Sequence, residues 1–156
     1  MTVATPGRRY NATSTMECWL PEELPNLSFS HVWSSSPAIV VPRLFFGVTP
    51  TSPGFATLDI KPQPGLVAEG AATLPTVRGA VRVTFAQGGG VVGAPGGCMS
   101  VTVGLPGGVV ARVLLPLWGD EATVVREDGE EATTTVEGDY AVVAGVAPGE
   151  HTFTTC

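Results

Sequence analysis

The pattern of hydrophobic and polar positions changes near residue 54, and the two parts predict different structures. From Phe55 onward, short apolar or alternating runs are separated by Gly and Pro about every ten residues, as in β-strands joined by tight turns. Residues 80–85 and 100–103 alternate apolar with polar side chains, which gives each strand one buried face. Residues 109–115 are apolar on both faces except at Arg112, as expected of a central strand.

The remaining strands complete an all-β pattern. They are predicted at residues 57–61, 123–126, 132–136, 140–144 and 151–155. The Asp128-Gly129 pair lies between two of these runs and is a strong hairpin signal, and Pro148-Gly149 marks a further turn. Seven or eight short strands with such turns predict a mainly β fold, an antiparallel two-sheet β-sandwich over residues 55–156.

Residues 34–47 predict a short helix before the sandwich. Serines precede it, Pro37 occupies its first turn and Gly47 closes it. Pro42 would kink the helix or delay its start, and the β-branched run 39–41 leaves a strand as the competing interpretation. The segment is apolar on almost every face, so a sandwich would cover one side and leave the other without a neighbour. We therefore interpret residues 1–54 as the tail of a larger domain or as a docking arm.

Composition limits the class of protein. The 156 residues suffice for one domain, or one domain and a fragment, and the 44% hydrophobic content argues against a disordered chain. With 14% charged residues, 20 Gly and 14 Pro, long helices are disfavoured. The net charge of −6 and only eight basic residues exclude a nucleic-acid partner or an anionic membrane surface. No membrane span or signal peptide is predicted, so the chain is expected to be soluble, in a compartment left open.

No motif predicts a metal or another cofactor. The glycine run 88–90 lacks the helix and lysine of a phosphate-binding loop. His31 and His151 lie far apart, without a metal-ligand spacing, and His151 is interpreted as a surface residue of the sandwich. The acidic residues between 121 and 137 are interpreted as a solvated face that discourages pairing of sheet edges.

The three cysteines form no recognisable framework. Cys18, Cys98 and Cys156 are odd in number and widely separated, and no CxxC motif occurs. Free thiols are the default expectation, and a bridge between Cys98 and Cys156 is the alternative.

One cluster has the residue types of a sugar-binding site. The candidates are Glu17, Trp19, His31 and Trp33. A sugar ring stacks on an indole, its hydroxyls pair with polar groups such as an imidazole, and a carboxylate can activate water. The alternative is structural, with both indoles in a core, Glu17 capping a helix and His31 satisfied by the backbone.

Several motifs resemble a known glycosidase family. Residues 12–19 (ATSTMECW), 28–38 (SFSHVWSSSPA), 47–50 and 53–55 resemble the end of the catalytic barrel of bacterial-type α-L-rhamnosidases of glycoside hydrolase family 78. Residues 58–65, 77–83, 114–116 and 149–153 are similar to the C-terminal β-sandwich of that family. The resemblance implies that residues 1–54 are a remnant of a helical α/α barrel and that residues 55–156 are the C-terminal domain.

The resemblance also implies roles for the candidate residues. Such enzymes invert the anomeric carbon of a terminal α-L-rhamnose, using one carboxylic acid and one carboxylate base. Glu17 matches the general base, and His31 matches a residue that binds the rhamnose hydroxyls. Trp19 and Trp33 would form walls of the pocket. The acid of the family lies in an earlier part of the barrel that this chain does not contain, so little or no hydrolysis is expected from the chain alone.

Two further functions stay open at this stage. The chain could be a free-standing, non-catalytic β-sandwich that binds carbohydrate or a protein partner, with residues 1–54 as a docking arm. It could also complement a separately encoded catalytic barrel. In each case the expected ligand is a rhamnose-containing glycoside or another carbohydrate, and no cofactor is required. Deletion of residues 1–54 is expected to leave a folded sandwich if they are a barrel remnant.

Overall fold

The chain forms a β-sandwich, as the sequence predicted. The computed structural model describes residues 36–88, 97–118 and 124–155, and within these ranges eleven strands form two sheets. Contacts divide the chain into two units, residues 1–41 and 42–156, and the strands all belong to the second unit.

Helical segments are short and precede or interrupt the first strands. They are α1 (Pro37–Val40), a π-helical turn (Val41–Phe45) and a 3₁₀-helical turn (Pro53–Phe55). The strands are β1 (Val48–Pro50), β2 (Thr57–Ile60), β3 (Glu69–Thr76), β4 (Gly79–Gly88), β5 (Cys98–Leu105), β6 (Val110–Pro116), β7 (Val125–Glu127), β8 (Glu130–Glu131), β9 (Thr135–Glu137), β10 (Tyr140–Val146) and β11 (Gly149–Thr155).

The five-stranded sheet has the order β1-β2-β6-β10-β9. Its pairs are antiparallel except β2 with β6, which run parallel. Strand β6 is central in this sheet, as its apolar character predicted, and its inward residues Ala111, Val113 and Leu115 are buried. On the opposite face, Leu114 and its register partner Val142 are also buried, which explains why this strand lacks simple alternation.

The six-stranded sheet has the order β3-β4-β5-β11-β7-β8 and is antiparallel throughout. Strands β4 and β5 alternate buried with exposed positions, because the sheet packs on the core with one face only. The Asp128-Gly129 pair forms the predicted hairpin turn between β7 and β8. Both residues have positive φ, +50° and +91°, as a two-residue hairpin turn of this kind requires.

The core lies between the two sheets and is built from their inward apolar side chains. Its largest fully buried members are Phe153, Leu58, Ile60, Met99, Leu115, Val48, Val81, Val83, Val101, Val103, Val109 and Val113. At one end, the rings of Phe45, Phe46 and Phe85 pack on one another with centroids 5.2–5.6 Å apart. Aromatic pairs at such distances add to the stability gained from burial alone.

The predicted helix is present, but it is short and changes type at Val41, one residue before Pro42. The α-helical turn starts with Pro37 after Ser36, whose carbonyl accepts hydrogen bonds from the amides of Ile39 and Val40. Pro42 has no N–H to donate, and the wider π-helical turn includes it. Ile39 is 61% exposed, so the apolar surface that the sequence predicted is present on this segment.

Three strands differ from the sequence prediction. Strand β1 lies before residue 54, where no strand was expected, and β3 falls in a stretch that the prediction left without structure. The single strand predicted at 132–136 is wrong. Instead β8 ends at Glu131 in one sheet and β9 begins at Thr135 in the other. The assignment of residues 1–54 and 55–156 to separate domains stays a prediction.

Cys98 is disulfide-bonded, so the expectation of free thiols is wrong for this residue. Cys18 and Cys156 lie outside the described residues. Among the described helices, none combines the length and the apolar character needed to cross a membrane.

Candidate functional site

The predicted catalytic and sugar-binding residues lie outside the part of the chain that the structure describes. They are Glu17, Trp19, His31 and Trp33. Their roles therefore stay predictions. The described residues form the sandwich, and its polar chemistry is concentrated in four places on the outer faces and edges of the two sheets.

On the outer face of the five-stranded sheet, Arg112 joins three strands. The parallel register of β2 and β6 sets Asp59 opposite Arg112, and Nε of Arg112 lies 3.2 Å from Oδ1 of Asp59. These two atoms are close but not aligned for a hydrogen bond. Nη2 of Arg112 donates to Oε2 of Glu137 in β9 at 2.9 Å. The Arg112 side chain is 43% exposed, so these ion pairs link strands without contributing much stability.

Tyr140 lies at the start of β10. The ammonium of Lys61, the residue after β2, is 3.8 Å from the centroid of the Tyr140 ring, a cation–π contact. Burial raises the pKa of Tyr140 above its ordinary value of 10.0, and the negative charge of the neighbouring Asp139 raises the pKa further. The phenol is therefore a hydrogen-bonding and packing group at neutral pH and cannot serve there as a base.

An open groove of about 500 Å³ lies along strands β3, β4 and β5 of the six-stranded sheet. Its lining residues are Glu69, Gly70, Ala71, Thr84, Phe85, Ala86, Ser100 and Thr102. The hydroxyl-bearing residues of the groove point outward, whereas Gly70 faces the core, where a Cβ would lie 2.7 Å from the ring of Phe85. The lining offers hydroxyl groups and one carboxylate and has neither histidine nor cysteine, which suits binding of a polar ligand better than chemistry on it.

The fourth place is the β7–β8 hairpin against the terminal strand β11. Pairing of β11 with β7 brings His151 near Glu127 and Asp128, with Nδ1 of the imidazole 3.0 Å from Oε1 of Glu127. The sequence alone predicts His151 and the acidic residues of the hairpin to be unrelated surface groups. The register of two strands more than 20 residues apart in the chain brings them together, and no local motif signals it.

Comparison with protein families identifies the sandwich. Residues 47–131, more than half of the chain, match the model of the bacterial alpha-L-rhamnosidase C-terminal domain. The matched segment begins one residue before β1 and ends with β8. A comparison with curated proteins finds no match.

Solved structures give the same result for the fold. An α-L-rhamnosidase from Dictyoglumus thermophilum matches with a TM-score of 0.68 and 20% identity over 83% of this chain. The Streptomyces avermitilis α-L-rhamnosidase complexed with L-rhamnose matches with a TM-score of 0.66 and 26% identity over 82% of this chain. A native α-L-rhamnosidase from Aspergillus terreus matches with a TM-score of 0.55 and 19% identity over 82% of this chain.

The resemblance seen in the sequence is therefore confirmed at the level of this domain. The chain spans only 12–14% of the length of those three enzymes. The family match, residues 47–131, does not include the predicted catalytic and sugar-binding residues. This chain belongs to the bacterial alpha-L-rhamnosidase C-terminal domain family.

Proposed function

We propose that the chain is the C-terminal portion of an inverting α-L-rhamnosidase-type glycosidase. In this proposal, residues 1–54 contain the end of a helical catalytic barrel, and strands β1 to β11 form the C-terminal β-sandwich. The family match over residues 47–131 carries the proposal, and the solved rhamnosidases that share the sandwich support it. The reaction of the whole enzyme would be hydrolysis of a terminal, non-reducing α-L-rhamnose.

The predicted residues have distinct roles in that reaction. Glu17 is the general base: its carboxylate takes a proton from a water that attacks the anomeric carbon on the face opposite the leaving group. A separate carboxylic acid protonates the leaving oxygen, and the configuration is inverted. His31 hydrogen-bonds the rhamnose hydroxyls, and Trp19 and Trp33 form walls of the pocket. The support for these roles is the motif context of each residue.

The chain by itself should hydrolyse little or nothing. A base can act only where the acid and the substrate are held in the matching geometry, and loss of such positioning removes most of the rate enhancement. By resemblance, the acid belongs to an earlier part of the barrel. The sandwich offers no replacement in its described groove, whose one carboxylate is that of Glu69.

A direct activity assay tests this proposal. The purified chain is incubated with an aryl α-L-rhamnoside, alongside its Glu17→Gln variant, and release of the aryl alcohol is followed. We expect neither protein to exceed the uncatalysed rate. Turnover by the unmodified chain that disappears in Glu17→Gln would show that the chain is active alone. Turnover that requires an added helical barrel domain, and that also depends on Glu17, would support a partnership with a separate barrel.

A second candidate function is a non-catalytic binding module. The observation that favours it is the groove of about 500 Å³, where Thr84, Ser100 and Thr102 provide hydroxyl groups on a sheet face. Such a groove could pair with the hydroxyls of a carbohydrate. In this function, residues 1–54 would dock the module onto its partner.

Rhamnose binding separates the two functions when it is measured on matched variants. The thermal shift of the chain is recorded with L-rhamnose up to about millimolar concentration, in the range of weak binding. Loss of the shift in Thr102→Val, with retention in Thr73→Val outside the groove, would support the binding module. Loss in His31→Ala, with retention in Thr102→Val, would support the barrel remnant. No shift in any protein would count against the binding module.

A further inference from the structure

The β7–β8 hairpin and the terminal strand bring together three groups of the kind that bind metals. One ligand atom from each of Glu127, Asp128 and His151 lies within 4.8 Å of the others. The hairpin is held to β11 at this point, since the amide of Asp128 donates to the carbonyl of Thr152 and the amide of Thr152 donates to Oδ1 of Asp128, both at 2.8 Å. The second carboxylate oxygen, Oδ2 of Asp128, faces the imidazole at 3.4 Å.

The imidazole of His151 is oriented by a group outside this cluster. Its Nε2 atom lies 3.1 Å from the carbonyl oxygen of Ala147, just before the turn that leads into β11. Because a carbonyl only accepts hydrogen bonds, Nε2 carries a hydrogen. In the neutral ring, Nδ1 therefore has a lone pair directed toward the carboxylates. Histidines that bind metals are oriented in the same way, with the second ring nitrogen donating to a carbonyl or carboxylate.

Nδ1 of His151 has carboxylate neighbours but no hydrogen bond. The atom is buried, and it lies 3.0 Å from Oε1 of Glu127 and 3.4 Å from Oδ2 of Asp128, with neither oxygen aligned for hydrogen bonding. A proton on Nδ1 would be stabilised best by one oxygen nearly in line with the N–H bond. The Glu127 and Asp128 oxygens are not aligned with such an N–H bond. Their positions instead suit an ion that contacts both oxygens and Nδ1.

The two separations from Nδ1 are close to those around a small divalent ion, and the three ligand atoms all lie within 4.8 Å of one another. Zn²⁺ binds such donors at about 2.0–2.2 Å in a tetrahedral arrangement, which separates two donor atoms by about 3.3–3.6 Å. The separations of 3.0 and 3.4 Å from Nδ1 are close to this range, and a small rotation of the Glu127 side chain would bring the shorter one into it. An imidazole with two carboxylates favours transition metals over Ca²⁺ and Mg²⁺, which prefer oxygen ligands alone.

We propose that Glu127, Asp128 and His151 form a binding site for a divalent transition-metal ion, with Zn²⁺ as its probe. The site joins the β7–β8 hairpin, at the edge of the six-stranded sheet, to the terminal strand β11. A bound ion cross-links two segments that are distant in sequence and stabilises the folded state by an amount that grows with the logarithm of its concentration above the Kd. Three protein ligands leave the fourth position to water or to a further ligand.

Zn²⁺ binding to the full chain is measured by calorimetry and by the ring signals of histidine in NMR spectra. The chain has only two histidines, so His31→Ala identifies the signals of His151. Free thiols are alkylated beforehand, because Zn²⁺ also binds thiolates. We expect one Zn²⁺ per chain at this site, a shift of the His151 ring signals with Nε2 still protonated, and weaker responses to Ca²⁺ and Mg²⁺.

Matched variants of the hairpin complete the test. Glu127→Gln keeps the shape of the side chain and removes one ligand charge, while Glu130→Gln makes the same change at its exposed register partner in β8. We expect Glu127→Gln to weaken Zn²⁺ binding at least about tenfold and Glu130→Gln to leave it unchanged. Equal affinities of the two variants, or His151 ring signals that Zn²⁺ does not move, would overturn the proposal.

Discussion

Gly47 occupies a position that only glycine can fill, and two separate constraints require it. Its φ of +71° lies in the left-handed region that disfavours residues with a Cβ. A Cβ at this position would also lie 1.9 Å from the carbonyl oxygen of Lys61, because the chain entering β1 passes directly against the end of β2. The amide of Lys61 donates to the carbonyl of Gly47 at 3.1 Å and holds the two segments at this separation.

Substitution of Gly47 by alanine should therefore destabilise the sandwich strongly. We expect Gly47→Ala to lower the free energy of unfolding by about 2–4 kcal/mol, from the strained φ and the displacement of the Lys61 backbone. Urea denaturation measures the change. Gly107→Ala is the control, since open space surrounds that glycine and its φ is not positive. Similar losses in both variants would contradict the role assigned to the contact with Lys61.

The raised pKa of Tyr140 predicts how stability changes at alkaline pH. In the unfolded chain the phenol loses its proton near pH 10.0, whereas in the folded chain burial and Asp139 retain it to higher pH. Above pH 10.0 the folded state thus binds more protons than the unfolded state, and the free energy of unfolding falls as pH rises. Below pH 10.0 both states hold the proton, and this contribution is fully present.

Replacement of Tyr140 by phenylalanine should remove that dependence. Urea unfolding is measured from about pH 8 to about pH 11, on either side of the ordinary tyrosine pKa. We expect the stability of Tyr140→Phe to fall less steeply above pH 10.0 than that of the unmodified chain, while the ring contact with Lys61 is kept. Tyr10→Phe, at the one other tyrosine, serves as the control. Parallel pH profiles for Tyr140→Phe and the unmodified chain would show that the burial of this phenol has no such effect.

At the scale of elements, most strands were predictable from alternation and turn residues. Strands β4 and β5 were predicted because every second side chain is apolar, and the β7–β8 turn because Asp128-Gly129 adopts positive φ readily. Strand β3 was not predicted, since glycine, alanine and proline have low strand propensity. It forms because it pairs with β4 along eight residues, and Pro75 is tolerated because β3 is an edge strand.

Strand β1 shows that the sandwich begins before residue 54. Val48 is 1% exposed and pairs with Ile60, and Phe46 is 5% exposed among the core aromatic rings. In the sequence, β1 is only three residues long, and the proline and glycine after it indicate a loop. Strand β1 forms because it pairs with β2, although its own short sequence does not indicate a strand.

Two truncations test where the folded unit begins. Removal of residues 1–41 should leave a stable sandwich, because every strand and core side chain that the structure describes follows this point. Removal of residues 1–54 also deletes β1 with Phe46 and Val48, and should lower the free energy of unfolding by at least about 3 kcal/mol relative to the shorter deletion. Thermal unfolding followed by circular dichroism compares the two. Equal stabilities would mean that β1 contributes nothing to the core, and collapse of the shorter deletion would place residues 1–41 within the folding unit.

At the scale of the whole molecule, the family match and the predicted catalytic residues lie in different parts of the chain. The family match and the similar solved structures cover the sandwich, while the motifs with a carboxylate, an imidazole and two indoles precede it. The sandwich can be assigned to its family without a catalytic barrel, because its strands bury a hydrophobic core of their own. The activity assay with Glu17→Gln therefore tests the one part of the proposal that the sandwich cannot support.

The sequence by itself determined the class of fold, the hairpin turns, the central position of β6 and the resemblance to rhamnosidases. These features depend on alternation, turn chemistry and local motifs, each contained within a few neighbouring residues. Only the tertiary structure decided the strand order, the contact that requires Gly47, and the meeting of His151 with Glu127 and Asp128. These depend on which distant strands pair and in what register, and no short stretch of sequence carries that information.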